Sequence, residues 1–307
     1  MKKITVIGSL NMDLVICTPR MPVMGETIIG SGFMTVPGGK GANQAVAAAR
    51  LGGNVSMIGC VGGDIFGNRL IDNLKNNNVD TANVAVIKEC ATGIAVILVE
   101  DGDNCIVIDQ GANYRLVPET LEQLEEFIKE SFMVVIQLEI PIPTVYKAIE
   151  IAKRHGVKVL LNPAPACHLD DSMLSQVDIF VPNESECEII TGISVKSVEE
   201  GKQAVKYLMD KGIPQVVVTL GSRGVLYNSG KDIVHKPALN VKAVDTTAAG
   251  DSFAGALAVA FSEGKGIDDA ISFANLVGAL TVQKKGAQSS LPAREEVEIF
   301  RCKLEHL

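Results

Sequence analysis

Residues 134–161 read V-V-I-Q-L-E-I-P-I-P-T-V-Y-K-A-I-E-I-A-K-R-H-G-V-K-V-L-L. Two short apolar runs, 134–138 and 157–161, flank a segment, 142–155, whose apolar residues recur at i, i+3 and i+4. Strand, helix, strand is the unit that lays two strands parallel, because a parallel pair needs a crossover long enough to hold a helix. The alternation continues in both directions. Residues 4–8, 55–60, 179–182 and 216–220 read as buried strands, and 42–51, 66–76, 118–129 and 198–211 as helices. Strands that are apolar on both faces need cover on both sides. This predicts an α/β fold, a doubly wound and mostly parallel sheet flanked by helices. In such sheets ligands sit beyond the carboxyl ends of the strands.

Two segments interrupt the alternation. Residues 14–36 and 91–109 hold strand-like runs (14–17, 27–33, 93–99 and 105–108) with no helix between them, and E-D-G-D-N at 100–104 is a hairpin turn. They predict a small antiparallel sheet standing off the main one as a lid over 14–36 and 91–109. The α/β core is then 1–13, 37–90 and 110–307. A lid sheet is half exposed, so pairing with a second copy is a natural way to cover it.

The chain has 307 residues, 47% of them hydrophobic, and a formal net charge of −8. That balance disfavours a nucleic acid or an anionic membrane surface as partner. Seven cysteines are widely spaced with no CxxC pair, and four histidines never cluster with them, which points to free thiols in a reducing cytoplasm rather than a zinc site. The apolar run after Lys2 and Lys3 is too short for a signal peptide, and no stretch approaches a membrane span.

Residues 245–255, D-T-T-A-A-G-D-S-F-A-G, place one carboxylate, Asp251, directly after Ala248, Ala249 and Gly250, at the start of an Ala-rich helical pattern. Small residues let backbone N–H groups approach a ligand, and a helix N-terminus attracts anions. Either this is an anion cradle with a carboxylate at its lip, as phosphoryl transfer to a hydroxyl requires, or Asp251 simply caps a buried helix. Residues 38–41, G-G-K-G, hold three glycines in four positions before a helix, with Lys40 and Asn43 as polar reach. Asn11 and Asp13 follow the first strand and suit adjacent hydroxyls, although turn-forming side chains look the same. Glu139 follows the strand 134–138. Asn183 and Glu186 follow 179–182, where they either organise Mg²⁺ through water or cap a helix. Residues 219–224, T-L-G-S-R-G, end a strand in small residues, as a nucleotide site or a tight hairpin would. Every Gly-Lys pair is followed by Gly, Gln or Asp, so no Walker A loop is present, and G-x-G-x-x-G is missing after the first strand.

Together these blocks resemble the ribokinase-like carbohydrate kinases, the PfkB family, from Ile4 to Pro292. Residues 38–43 match the family's first motif, 245–251 its second, and Asn183 with Glu186 its N-x-x-E element. G-G-K-G-A-N-Q-A (38–45), G-D-I-F-G (63–67), G-A-N (111–113) and K-G-A-Q (285–288) are most similar to members that act on ribose.

The resemblance implies ATP-dependent phosphorylation of D-ribose at O5. Asp251 would be the general base, and the backbone N–H groups of Ala248, Ala249, Gly250 and Asp251 the anion hole. It implies sugar contacts from Asn11, Asp13, Gly39, Lys40, Asn43, Glu139 and Asp251. ATP would lie along Asn183, Thr219, Gly221, Ser222, Gly224, Gly250 and Asn275, with Mg²⁺ held near Glu186 through water. An activating K⁺ would sit on the side chains of Asp245 and Ser290 and the carbonyls of Thr247, Thr281, Lys284 and Gly286. Ser252 stands where the family usually has Thr, and Gln110 where Pro is common. The resemblance also fits a cytoplasmic homodimer joined through the lids. The alternatives are a family kinase for deoxyribose, fructose or a nucleoside, and a sugar sensor without catalysis. An aromatic content of 4% with no Trp argues against stacking a nucleoside base.

Overall fold

The computed structural model describes residues 1–101 and 103–305. β1 (Lys3–Ile7) is followed by β2 (Asn11–Cys17) and β3 (Ser31–Gly38), and β3 runs straight into α1 (Lys40–Arg50). Then come β4 (Asn54–Gly62), α2 (Ile65–Asn76), β5 (Asp80–Ile87), β6 (Gly93–Glu100) and β7 (Asp103–Asp109). The expected turn between the last two includes Gly102, which lies outside the described residues. α3 (Pro118–Gln123) and α4 (Glu125–Lys129) replace the single helix expected over 118–129. The break falls at Leu124, whose ψ of 10° ends the first helix.

Next in order are β8 (Met133–Ile136), α5 (Ile142–Arg154), β9 (Lys158–Leu161), α6 (Asp171–Leu174), β10 (Ile179–Phe180), α7 (Glu184–Thr191), α8 (Val198–Asp210) and β11 (Gln215–Thr219). The chain ends with β12 (Val225–Ser229), β13 (Asp232–Lys236), α9 (Ala249–Ser262), α10 (Ile267–Thr281) and α11 (Arg294–Glu305).

The main sheet has nine strands in the order β13-β12-β11-β10-β9-β8-β1-β4-β5. From β11 to β5 every neighbouring pair is parallel, and β12 and β13 add an antiparallel edge. The side-chain period of two sends alternate residues to opposite faces. Met133 and Val135 of β8 join Ile4 and Val6 of β1 under α1, α9 and α10, whereas Val134 and Ile136 join the α5 and α8 side. Fully burying each such aliphatic side chain contributes about 1.5–3 kcal/mol. β5 is an edge strand whose burial alternates and whose sequence starts D-T-A-N, so its apolar run is only the short stretch 84–87.

The four-stranded lid has the order β3-β2-β6-β7. Its outer pairs, β2–β3 and β6–β7, are antiparallel as expected, and they are joined through a parallel β2–β6 pair. β3 lies further along the chain than the run 27–33. Its register pairs Gly38 with Asn11 and Ser31 with Cys17, which leaves Ile29 in the connecting loop, 91% exposed.

The chain passes from β1 outward to β4 and β5, then back to β8 on the other side of β1. The crevice beyond the carboxyl ends of β1 and β8 is therefore a topological switch point. Two close approaches shape it. Gly39, at φ 88°, turns the chain from β3 into α1, and a Cβ there would stand 2.6 Å from the Asn11 amide nitrogen. Gly255 sits where α9 crosses α1, and a Cβ there would stand 2.9 Å from both the Ala47 Cβ and the Gln44 carbonyl oxygen. A larger residue must push the helices apart. Gly255→Val is expected to cost roughly 1–3 kcal/mol of stability, read as an earlier urea midpoint at unchanged slope. An unshifted midpoint would show that the crossing is loose.

Candidate active site

Three chain segments converge on the crevice: residues 9–13 after β1, the β3–α1 junction, and Glu139 after β8. Glu139 is buried and accepts hydrogen bonds from Ser9 Oγ at 2.5 Å and from the Lys40 amide at 3.1 Å. Asn11 opens β2 rather than a loop, with its Oδ1 accepting from Asn113 Nδ2 at 2.7 Å. Asn113 also pairs with both backbone groups of Leu10. With Oδ1 committed, Asn11 has its Nδ2 left to donate. Asn43 Nδ2 donates to Asp251 Oδ2 at 2.9 Å, and its own Oδ1 is buried without a partner. An orphaned buried acceptor at this place suits a ligand hydroxyl.

Asp251 does not cap its helix. The N-cap of α9 is Ala248, in the left-handed region at φ 59° with no side-chain cap, and Asp251 lies in the first turn. A non-glycine residue at positive φ is strained backbone of the kind held at functional sites. First-turn N–H groups have no intrahelical acceptor. In this conformation the Ala249 N–H is nevertheless occupied, donating to the Thr246 carbonyl at 3.2 Å, which leaves the N–H groups of Gly250 and Asp251 as the better placed donors.

A cavity of about 980 Å³ is lined by Asn183, Thr219, Gly221, Ser222, Gly224, Gly250 and Asn275, among others. Asn275 Nδ2 donates to the Pro237 carbonyl at 2.8 Å, so its Oδ1 is the end left to accept. Arg223, ion-paired with Glu184, braces the rim. A smaller cavity of about 190 Å³ holds Lys40, Glu186 and Asp251 and shares Asn183, Thr219, Ala249 and Gly250 with the large one. The two therefore meet at the start of α9. The Thr219–Gly224 stretch is at once part of this wall and the turn of the β11–β12 hairpin. Asn183 and Glu186 form a capping box on α7, each side chain bonded to the other's backbone N–H at 2.8 Å. Capping and cavity lining are here compatible.

The charges are crowded. Burial opposes the Lys40 ammonium, but the carboxylates of Asp251, Glu139 and Glu186 outweigh it and hold Lys40 above its usual value. Glu186 is pushed up by burial and by Asp251, against the Asn183 N–H bond and Lys40. Outside the crevice, Asp245 accepts from the Thr247 amide at 2.9 Å and the Gly286 amide at 2.8 Å, tying the start of 245–251 to the loop after α10. Burial of Asp245 works against ionisation, yet these bonds and Lys285 keep its carboxyl below the usual range. Thr281 and Ser290 are fully buried in the same region, with Ser290 Oγ donating to the Ala287 carbonyl at 2.7 Å.

Residues 1–294 fit the pfkB family carbohydrate kinase pattern. The chain belongs to the PfkB carbohydrate kinase family. It is 44% identical over 307 residues to a ribokinase of Haemophilus influenzae, covering 99% of each chain. It is 43% identical over 295 residues to a deoxyribokinase of Salmonella typhi, covering 95% of this chain and 96% of that one. The structure of Arabidopsis thaliana ribokinase complexed with ribose and ATP superposes with a TM-score of 0.91 at 34% identity, covering 97% of this chain and 98% of that one.

The two blocks that carry the resemblance to PfkB kinases, 38–43 and 245–251, meet at the Asn43–Asp251 hydrogen bond. Ser9, Gln137 and Asn162 join the same hydrogen-bonded cluster without a mark in the motif blocks, whereas Gln44 and Asn113 lie in the blocks 38–45 and 111–113 with no role assigned to them there. Gln137 interrupts an apolar run and Asn162 directly follows one, and a polar residue at either place is the signal available. Ser252, where the family usually has Thr, is buried and returns its hydroxyl to the Ala249 carbonyl at 2.9 Å, away from the crevice.

The crowding has a measurable cost. Burial, with Glu139 and Asp251 nearby, pushes the Asp13 carboxyl from 3.8 up to about 7. Between about pH 4 and 7 the folded state then binds a proton that the unfolded chain has released, so this group's contribution to stability falls as pH rises through that window. Asp13→Asn removes the penalty. The unliganded variant is expected to gain up to about 4 kcal/mol over the parent at pH 8, at 1.4 kcal/mol per pH unit, and almost nothing below pH 4. Urea unfolding at both pH values checks it, and an equal difference at the two would refute the assignment.

Proposed function

We infer that the protein phosphorylates D-ribose at O5 with ATP, giving D-ribose 5-phosphate and ADP. The observation that carries this reading is the position of Asp251: hydrogen-bonded by Asn43, at the junction of a large cavity and a small one, in the first turn of α9. Its neighbours in sequence and fold, a ribokinase at 44% identity and a ribose- and ATP-bound ribokinase at TM-score 0.91, support the same choice.

In this reading the sugar lies among Asn11, Asp13, Gly39, Lys40, Asn43 and Glu139, with O5 toward Asp251. ATP fills the larger cavity, its γ-phosphate at the start of α9. The Asp251 carboxylate takes the O5 proton, O5 bonds to the γ-phosphorus, and the bond from that phosphorus to the bridging oxygen breaks, leaving ADP. The transition state is loose, so most of the acceleration comes from positioning and from charge stabilisation by the N–H groups of Gly250 and Asp251 and by Lys40. The lid excludes water, the competing acceptor.

Among the described residues no group of three or more His, Cys, Asp or Glu is disposed to hold a metal. Glu186 on the small cavity suits Mg²⁺ held through water and phosphate oxygens, where it would neutralise charge on the nucleotide. The Asp245 carboxylate and the oxygens of Thr247, Thr281, Lys284, Gly286 and Ser290 form an all-oxygen set that suits K⁺, which would add positive field beside the start of α9. The lid is exposed along both edge strands, with Val107 of β7 66% and Phe33 of β3 63% accessible, and this supports a homodimer joined through the lids. Among the described residues no helix is long and apolar enough to cross a membrane, and all seven cysteines are free thiols, compatible with a cytoplasmic enzyme.

A coupled ADP-release assay over D-ribose, 2-deoxy-D-ribose, D-fructose and nucleosides tests the substrate. The expected result is highest kcat/KM with ribose, and turnover that falls when K⁺ is withdrawn. A preference for 2-deoxyribose would move the protein to the activity of its deoxyribokinase relatives, and ribose binding without ADP would mark a sensor. Asp251→Ala is expected to keep ribose affinity within about tenfold while kcat drops about 10²-fold or more. Gel filtration is expected at about twice the 32.5 kDa chain mass, and elution as a monomer at micromolar concentration would remove the dimer.

A further inference from the structure

The Asp251 carboxylate is held on both oxygens by uncharged amides on α1. Asn43 donates to Oδ2 at 2.9 Å, and Gln44 Nε2 donates to Oδ1 at 3.0 Å. The orientation of Gln44 is set by a chain of amides that starts at a backbone carbonyl. The Val181 carbonyl can only accept, and it accepts from Asn162 Nδ2 at 2.8 Å. Asn162 must therefore turn its Oδ1 toward Gln44, whose Nε2 donates to it at 3.0 Å. Gln44 Oε1 in turn accepts from Gln137 Nε2 at 2.6 Å. Both N–H bonds of Gln44 are thus used, one on Asn162 and one on Asp251.

Gln44 and Gln137 are fully buried, and Asn162 is 7% exposed. Exchanging the oxygen and nitrogen of Gln44 would set Oε1 against both the Asp251 carboxylate and Asn162 Oδ1, a costly arrangement in a buried space. Gln44 accordingly admits one orientation, and Gln137, whose Oε1 is buried without a partner, follows it. A carboxylate gripped on both oxygens cannot rotate, and proton transfer depends on that rotation.

We propose that Gln44 is a positioning residue for phosphoryl transfer: its amide, oriented by Asn162 and held from its other end by Gln137, fixes the Asp251 carboxylate at the rotation from which it takes the sugar proton. This rests on the reading of Asp251 as the base. Gln44 touches neither sugar nor nucleotide in this arrangement. Its loss should therefore appear in kcat and spare binding.

The test compares Gln44→Met, which keeps volume and removes the donor, with Gln137→Met and Asp251→Ala. Each is measured for kcat, for KM of ribose and ATP, for ribose affinity by calorimetry, and for melting temperature. Gln44→Met is expected to lower kcat about 10- to 100-fold with both KM values and ribose affinity within about threefold. Gln137→Met, two bonds from the carboxylate, is expected to lower kcat about 3- to 10-fold in the same pattern, and it carries the test if Gln44→Met does not fold. Unchanged kcat in either folded variant, with Asp251→Ala inactive, overturns the proposal and leaves the base in place. Loss of ribose affinity in step with kcat and melting temperature also overturns it, since that is the mark of a structural role. Turnover surviving in Asp251→Ala instead removes the base itself.

Discussion

The structure depends on one close crossing, where α9 lies on α1 at Gly255. Without a side chain there, the Gln44 carbonyl and Ala47 come within reach of the α9 backbone, and the same approach brings Asp251 to Asn43 and Gln44. α1 begins directly from lid strand β3, and α9 begins at a strained Ala248 on the edge of both cavities. One helix pair therefore links the small sheet, the crevice and the edge of both cavities. Small residues along both helices, Ala42 to Ala49 and Ala254 to Ala260, keep that pair buried in one apolar layer beneath the sheet.

Around this contact the charges are unbalanced. Asp13, Glu139, Glu186 and Asp251 surround Lys40, and two of them, Asp13 and Glu186, are pushed toward protonation. Sites built for hydroxyl-rich or cation-carrying ligands commonly hold such groups in place at a cost to the unliganded fold. The amides divide the labour. Asn113 sets which end of Asn11 is offered, and Gln44 with Asn43 grips Asp251, so orientation is achieved without further charge beside the carboxylate. A cation in their place would hold the carboxylate as firmly but make it a poorer base.

Much of this was legible in the order of residues. The run 134–161 declared a parallel unit, the glycines at 38–41 declared close backbone approach, and a helix start was one of two readings for Asn183 with Glu186. Other parts were silent for definite reasons. β5 opens on D-T-A-N and confines its apolar residues to a short run, 84–87, too brief to mark an eight-residue strand. Of the two readings open for Asp251, capping fails because left-handed Ala248 makes the turn into α9, a conformation that no residue pattern announces. β3 was displaced because pairing with β2, not hydrophobicity, sets its register.

The sequence by itself determined what depends on neighbours along the chain: the periods of two and 3.6 that separate strand from helix, and the glycines that permit a tight turn. It also carried enough motif to name the PfkB family. Only the tertiary structure decided which polar groups meet. Gln44 and Asp251 are 207 residues apart, and Gln44 and Gln137 are 93. Their bonds exist because a helix crossing and a parallel sheet bring buried amides into a space without water, where each must find a partner. No local pattern encodes that requirement, since it belongs to the packed core and arises only once the layers have closed.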